Sequence, residues 1–139
     1  MLLKTFALKN KIILFWTITI LISAFFILSG YMEITKNPAT YPKTLRMGYP
    51  PYFITLLGVA KLIGSAVFLV PMFRRLREWV FAAFTIDVIF AFASGYSIHS
   101  YGDCLKAVVV FIILMFAYSL FINIERTTFR KMQFKASNG

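Results

Sequence analysis

Four long apolar blocks, separated by short polar connections, constrain the fold of this chain more than any other feature of its sequence. The blocks cover residues 12–34, 53–71, 78–98 and 104–124. Each is close to the ~20 residues that an α-helix needs to cross a bilayer core about 30 Å thick. A membrane β-barrel would need strands of about ten residues with alternating polarity, a pattern the blocks lack. The sequence therefore predicts an all-α fold, a single four-transmembrane-helix bundle over 1–139 with a polar tail over 125–139.

The composition excludes the other broad classes of protein. Hydrophobic residues make up 60% of the chain and charged residues 14%, whereas soluble domains contain about 45–50% and 25%. The first block is preceded by lysines, as in a signal peptide, but it exceeds a signal core of 7–15 residues and no A-x-A site follows it. We therefore interpret the first block as a permanent transmembrane helix.

The positive charges predict the orientation in the membrane. On one side of the four blocks we count ten Lys and Arg residues, at 4, 9, 11, 74, 75, 77, 126, 130, 131 and 135. The other side holds Lys36, Lys43 and Arg46, with Lys106 just inside the last block. The positive-inside rule then places both termini in the cytoplasm, and we expect a multi-pass protein of the bacterial inner (plasma) membrane. The chain carries a net charge of +10. Its Lys and Arg residues flank the apolar blocks and do not form a basic surface stripe with aromatic residues between them, so the expected partner is the lipid bilayer and not a nucleic acid.

Two ionisable residues lie near the middle of apolar blocks. Counted from the outer ends at 1.5 Å per residue, Lys61 and Asp87 lie about 12 and 16 Å deep. Each, if unpaired, would cost about 2.5–3.5 kcal/mol at the centre of a membrane helix. The sequence therefore predicts a Lys61–Asp87 contact in the bundle interior. Small residues lie on the same helix face as each of these two side chains, as closely packed membrane helices require. They are Gly58, Gly64 and Ser65 beside Lys61, and Ala83, Ala91 and Gly95 beside Asp87.

A second polar group is predicted near the outer mouth of the bundle. Glu33 and Ser29 lie at the end of the first block and Lys36 follows it. His99 and Asp103 belong to the short connection between the third and fourth blocks, and Ser23 lies deeper on the same face as Glu33. With Lys61 and Asp87, these residues are expected to line a polar pocket that opens outward. Helix rise puts Glu33 and Asp87 at depths that differ by roughly 15 Å, so the two carboxylates are not expected to act together.

The sequence leaves the chemistry of this pocket open. The Lys61–Asp87 pair could be a structural ion pair, a ligand site or part of a proton relay. With one His and one Cys in the chain, neither a histidine-cluster metal site nor a bis-histidyl haem can form within one protomer, so no metal site is expected. Standard catalytic motifs are absent. Catalytic residues are therefore unassigned, and whether the protein is an enzyme stays undecided.

Several short motifs, in order along the chain, resemble the DoxX-like family of small four-helix membrane proteins. They are Ser29-Gly30 with Lys36, the run Gly58–Gly64, Leu69-Val70-Pro71, Arg75–Trp79, Phe84–Asp87 and Gly102-Asp103. The family usually has Lys-Glu-Trp where this chain has Arg77-Glu78-Trp79. The resemblance implies a four-helix architecture with polar positions at Glu33, Lys36, Lys61 and Asp87. Relatives include subunits associated with thiosulfate–quinone oxidoreduction and with membrane oxidative-stress complexes.

These observations favour two hypotheses about function. In the first, the pocket binds a small amphipathic ligand or lipid, or supports a membrane partner. Lys61 would hold an anionic or carbonyl group, with Asp87 as its counter-ion in the empty state. In the alternative, the chain is a membrane subunit of a quinone-linked oxidoreductase complex, with quinone as cofactor; no other cofactor is identified. The sequence does not decide whether the protein binds a redox or assembly partner in the membrane, or whether it forms a homo-oligomer.

Overall fold

The described part of the chain folds into five helices. The computed structural model describes residues 2–72 and 74–137, and the side chains within 8–72 and 74–128. The helices are α1 (Leu2–Ile34), α2 (Tyr41–Arg46), α3 (Pro51–Leu69), α4 (Arg74–Ser97) and α5 (Tyr101–Ser137).

Four of these helices are long and apolar enough to cross a membrane. The candidate spans are Leu8–Ile34, Pro51–Leu69, Arg74–Ser97 and Tyr101–Thr128. The predicted all-α bundle of four long apolar helices is therefore confirmed for the described residues. The fourth helix was predicted to end at 124, but α5 continues through the polar tail to Ser137. That stretch contains neither glycine nor proline, so nothing in the sequence terminates the helix.

The four long helices form a closed ring. The helix α1 packs against α3 and α5, and α4 packs against the same two helices. The closest approach is between Gly30 of α1 and Gly58 of α3, where a Cβ atom on either glycine would lie 2.7 Å from the carbonyl oxygen of the other. Only residues without a side chain allow two helix backbones to come this close.

This glycine contact also fixes how far α1 and α3 are offset. A Cβ atom on Gly58 would lie 2.9 Å from Ile34 and 3.1 Å from Glu33, the last residues of α1. The end of α1 therefore lies beside Gly58, and the antiparallel α3 extends about 10 Å beyond it. The helix ends on the side predicted to face outward, which we call the outer ends, are not level, and this offset places Glu33 deep in the bundle.

Aromatic side chains fill the bundle on the other side of the glycine contact. Phe26 stacks on Phe84 with ring centroids 3.8 Å apart, and Phe68 packs edge-on against Phe81 with centroids 4.6 Å apart. All four rings are buried. We call these four residues the aromatic floor.

A buried arginine lies at the end of the bundle where α3 connects to α4. Arg77 is only 5% exposed, and its Nε donates a hydrogen bond to the carbonyl oxygen of Phe68 at 3.1 Å. Its guanidinium lies 4.9 Å from the ring centroid of Trp16. Arg77 was expected to be an inner-loop charge and part of the Arg77-Glu78-Trp79 motif; it also joins α1, α3 and α4 through a helix C-terminal carbonyl and a cation–π contact.

The segment between α1 and α3 (residues 35–50, the outer segment) lies over one end of the ring. It contains α2, a six-residue helix that was not predicted from the sequence. The Tyr49 hydroxyl is 2.7 Å from Ser94 Oγ on α4, and Lys43 of α2 forms an ion pair with Asp103 of α5. The outer segment is therefore joined to both α4 and α5 by side-chain contacts.

The glycine contact generates the first prediction. Gly30→Ala or Gly58→Ala should lower the free energy of unfolding by about 1–3 kcal/mol, because each methyl group would meet backbone atoms that cannot move aside. The measurement is thermal or denaturant unfolding in mild detergent. Gly102→Ala is the matched control, because nothing lies within 4 Å of the added Cβ. Equal stability of all three variants would contradict the close packing of α1 and α3.

Candidate functional site

A cavity of about 380 Å³ lies among the helices, next to the outer segment. Every helix contributes to its wall. Apolar residues predominate on the long helices, among them Phe53, Leu57, Ile86, Phe90 and Val110. Polar residues are confined to two places: Ser29, Glu33, Lys61 and Asp87 on α1, α3 and α4, and a set at the outer end.

Lys61 lies between two carboxylates in the cavity wall. Its Nζ is 2.5 Å from Glu33 Oε1 and 3.4 Å from Asp87 Oδ2. The three side chains, which we call the charged triad, come from α3, α1 and α4 and are largely buried, with 8%, 14% and 17% of the respective side chains exposed. The predicted Lys61–Asp87 contact is confirmed, but the shorter contact is to Glu33.

The expectation that Glu33 and Asp87 lie too far apart to act together was wrong. That estimate counted depth from the outer end of each block and took those ends as level. The glycine contact instead sets the end of α1 beside Gly58, one turn of helix from Lys61. Lys61 lies about as far along α3 from its outer end as Asp87 lies along α4 from its outer end. The ammonium group of Lys61 therefore reaches the carboxylates of both Glu33 and Asp87.

The hydrogen bonds of the triad leave acceptors in excess. Lys61 Nζ also donates to Ser29 Oγ at 3.3 Å, so its three N–H groups face three oxygen atoms. Glu33 Oε2 is buried and has no hydrogen-bond partner among the described residues. Asp87 lines the cavity and is partly exposed there. The triad therefore has no unused donor, and it has spare carboxylate oxygens.

A second charged group lies at the outer end of the cavity. Asp103 pairs with Lys43 of the outer segment and lies 3.6 Å from Lys106. It also accepts a hydrogen bond from the Ser100 hydroxyl at 2.6 Å. These contacts connect α2 to the first turn of α5 and hold the outer segment across the cavity.

The other three predicted site residues lie outside the cavity wall. Ser23 is 1% exposed and its hydroxyl has no partner among the described residues, so it is packed between helices. Lys36 is exposed, with φ of 51°, and its Nζ lies 5.9 Å from the Tyr41 ring centroid. His99 is exposed beside a separate recess that Pro38, Pro42 and Arg46 also line.

Ser29 and Asp103, which were expected in the polar group at the outer mouth, line the cavity. Tyr49 also lines it but was not assigned to the polar group, because tertiary packing of the outer segment brings it in and no local pattern encodes that packing. Within the described part of the chain, no group of three or more His, Cys, Asp or Glu side chains is placed to hold a metal ion.

The charged triad generates the second prediction. Lys61→Met should lower the free energy of unfolding by about 3–5 kcal/mol, because it leaves two carboxylates buried without a counter-charge. Adding Glu33→Gln and Asp87→Asn should restore most of that loss, since the remaining groups are neutral. Unfolding in detergent measures both. A triple variant no more stable than Lys61→Met would contradict the charge explanation.

Comparison with known proteins gives one result. A family model described as the DoxX-like family matches residues 17–117. The match covers α2, α3 and α4 and most of the apolar part of α1 and α5, and it includes every residue of the charged triad. Neither the curated proteins nor the solved structures contain a significant match.

Proposed function

This chain belongs to the DoxX-like family of small multi-pass membrane proteins, and we propose that it binds a small amphipathic molecule or lipid in the cavity between its helices. One observation carries the proposal: a charged triad stands in the wall of a largely apolar cavity. Such a cavity offers both a surface for a hydrocarbon tail and a fixed polar group for a head.

The size and lining of the cavity support this function. Small-molecule sites usually have volumes of about 300–1,000 Å³ and apolar walls with a few placed polar groups; this cavity measures about 380 Å³. Ionisable groups inside a membrane bundle are costly and usually mark a ligand or ion site. A bundle that needed only stability would fill this volume with side chains.

The proposed entrance is at the outer segment. The outer segment contributes five residues to the cavity wall, Thr40, Lys43, Thr44, Met47 and Tyr49, and it is joined to α4 and α5 through a hydroxyl contact and an ion pair. With both termini in the cytoplasm of a bacterial inner membrane, as the distribution of Lys and Arg favours, this entrance faces outward. The ligand would then reach the cavity from the outer leaflet or the periplasm.

The orientation is the third prediction, and single cysteines test it. In a Cys104→Ser background, Ala39→Cys in the outer segment should react with a membrane-impermeant maleimide on intact cells. Met72→Cys, which lies between α3 and α4 and is 77% exposed, should react only after lysis. The reverse pattern of labelling would contradict the proposed orientation.

Ligand binding is the fourth prediction. Protein purified in mild detergent should yield, on organic extraction and mass spectrometry, a small molecule enriched over the bulk lipid of the same membranes. Ala91→Phe should remove it, because Ala91 lines the cavity and the added ring occupies the space. Ala93→Phe adds the same ring to an exposed position of α4 outside the lining and should retain it.

The extraction has two informative alternatives. An enriched quinone, lost in Ala91→Phe, would favour the redox-subunit hypothesis and identify its cofactor. Bulk phospholipid alone, equal in wild type and both variants, would contradict ligand binding and leave the charged triad a structural feature of the bundle.

A further inference from the structure

We infer that the head of the ligand is a positively charged amine that donates hydrogen bonds to the charged triad. This inference rests on the proposed function and specifies its ligand class. It reverses the simpler expectation that Lys61 would hold an anionic or carbonyl group. Three features of the site support it: the use of the lysine donors, the balance of charge and the position of the free acceptors.

The donors of Lys61 are already used within the protein. An ammonium group has three N–H donors, and Glu33 Oε1, Ser29 Oγ and Asp87 Oδ2 lie 2.5, 3.3 and 3.4 Å from Nζ. An anionic ligand could reach Lys61 only by breaking one of these contacts. It would also bring a third negative group beside Glu33 and Asp87.

The charge of the triad is unbalanced. When both carboxyl groups are ionised, two carboxylates against one ammonium leave one negative charge at largely buried positions. The nearest other charged groups on the cavity wall are Lys43, Asp103 and Lys106. Gly95 packs against Asp103 and lies about 12 Å along α4 from Asp87. Since Lys43 and Lys106 are 42% and 78% exposed, solvent and salt screen their charge over that distance.

The spare acceptor that faces the cavity belongs to Asp87. Its carboxylate lines the cavity with 17% of the side chain exposed, and Lys61 is its ion-pair partner among the described residues. An ammonium head beside Asp87 would balance the charge of the triad and donate to a carboxylate, the stronger kind of hydrogen bond. A hydrocarbon tail would then lie along the wall at Leu57 and Ile86.

Three eight-carbon amphiphiles that differ only in the head test the inference. Octylamine, octanol and octanoate are titrated at neutral pH into wild-type protein in lipid nanodiscs, and binding is measured by calorimetry. Nanodiscs with Ala91→Phe serve as the blank for partition into lipid. Octylamine should bind saturably and at least about tenfold more tightly than octanol, because a hydrogen bond to a charged group contributes that much or more. Octanoate should give no saturable signal.

The outcomes separate this inference from the proposed function. Octanoate binding as tightly as octylamine, or octanol equal to octylamine, would overturn the cationic head while leaving ligand binding in the cavity intact. No saturable binding of any of the three, together with extraction of bulk lipid alone, would overturn both. An extracted molecule with an acidic or uncharged head would also overturn the inference.

A charge variant provides the residue-level test. Asp87→Asn keeps the side-chain shape and removes the surplus negative charge, so the preference for octylamine over octanol should fall by about tenfold or more. Glu78→Gln is the matched control, because Glu78 is an exposed carboxylate on the same helix and lies outside the cavity wall. An unchanged preference in folded Asp87→Asn protein would overturn the assignment of the amine to Asp87.

Discussion

The approach of α1 to α3 at Gly30 and Gly58 is the constraint on which the polar site depends. In a bilayer, lipid chains are as apolar as the helix surfaces, so helices associate through close packing and polar contacts. The two glycines allow the backbones to meet, and a Cβ atom on either would overlap the opposite carbonyl oxygen. This contact fixes the axial position of α1 against α3. The end of α1 then lies inside the bundle, where Glu33 can reach Lys61.

Packing divides the bundle into two parts with different physical roles. Below the glycine contact, the aromatic floor fills the space, and Phe26 and Phe84 are in stacking contact. Above it, Ala91 of α4 and side chains of the outer segment line the cavity, together with the larger Phe53 and Phe90. The outer segment is held over this part of the bundle by the Tyr49–Ser94 contact and the Lys43–Asp103 ion pair.

The sequence predicted the helices better than their relative heights. Long apolar blocks determine helices because backbone polar groups in lipid must form their hydrogen bonds within the segment. The cost of an unpaired buried charge predicted that Lys61 and Asp87 would be in contact. The contact of Glu33 with Lys61 was not predicted, because depth counted from block ends ignores the offset between helices. Ser23 was assigned to the pocket from its helix face, but that face packs against neighbours. The helix α2 was missed because it is six residues long and depends on tertiary contacts.

The second carboxylate is the strongest argument that the triad is more than a structural ion pair. One lysine and one aspartate would suffice to fix the register of α3 against α4, and an apolar pair of similar volume would often be more stable. Glu33 adds a further desolvated charge, and one of its oxygens has no partner among the described residues. The glycine contact already fixes the register of α1 against α3, so Glu33 is not needed for that purpose. It does create an excess of acceptors beside an apolar cavity, which is the arrangement needed to select a cationic head and exclude an anionic one.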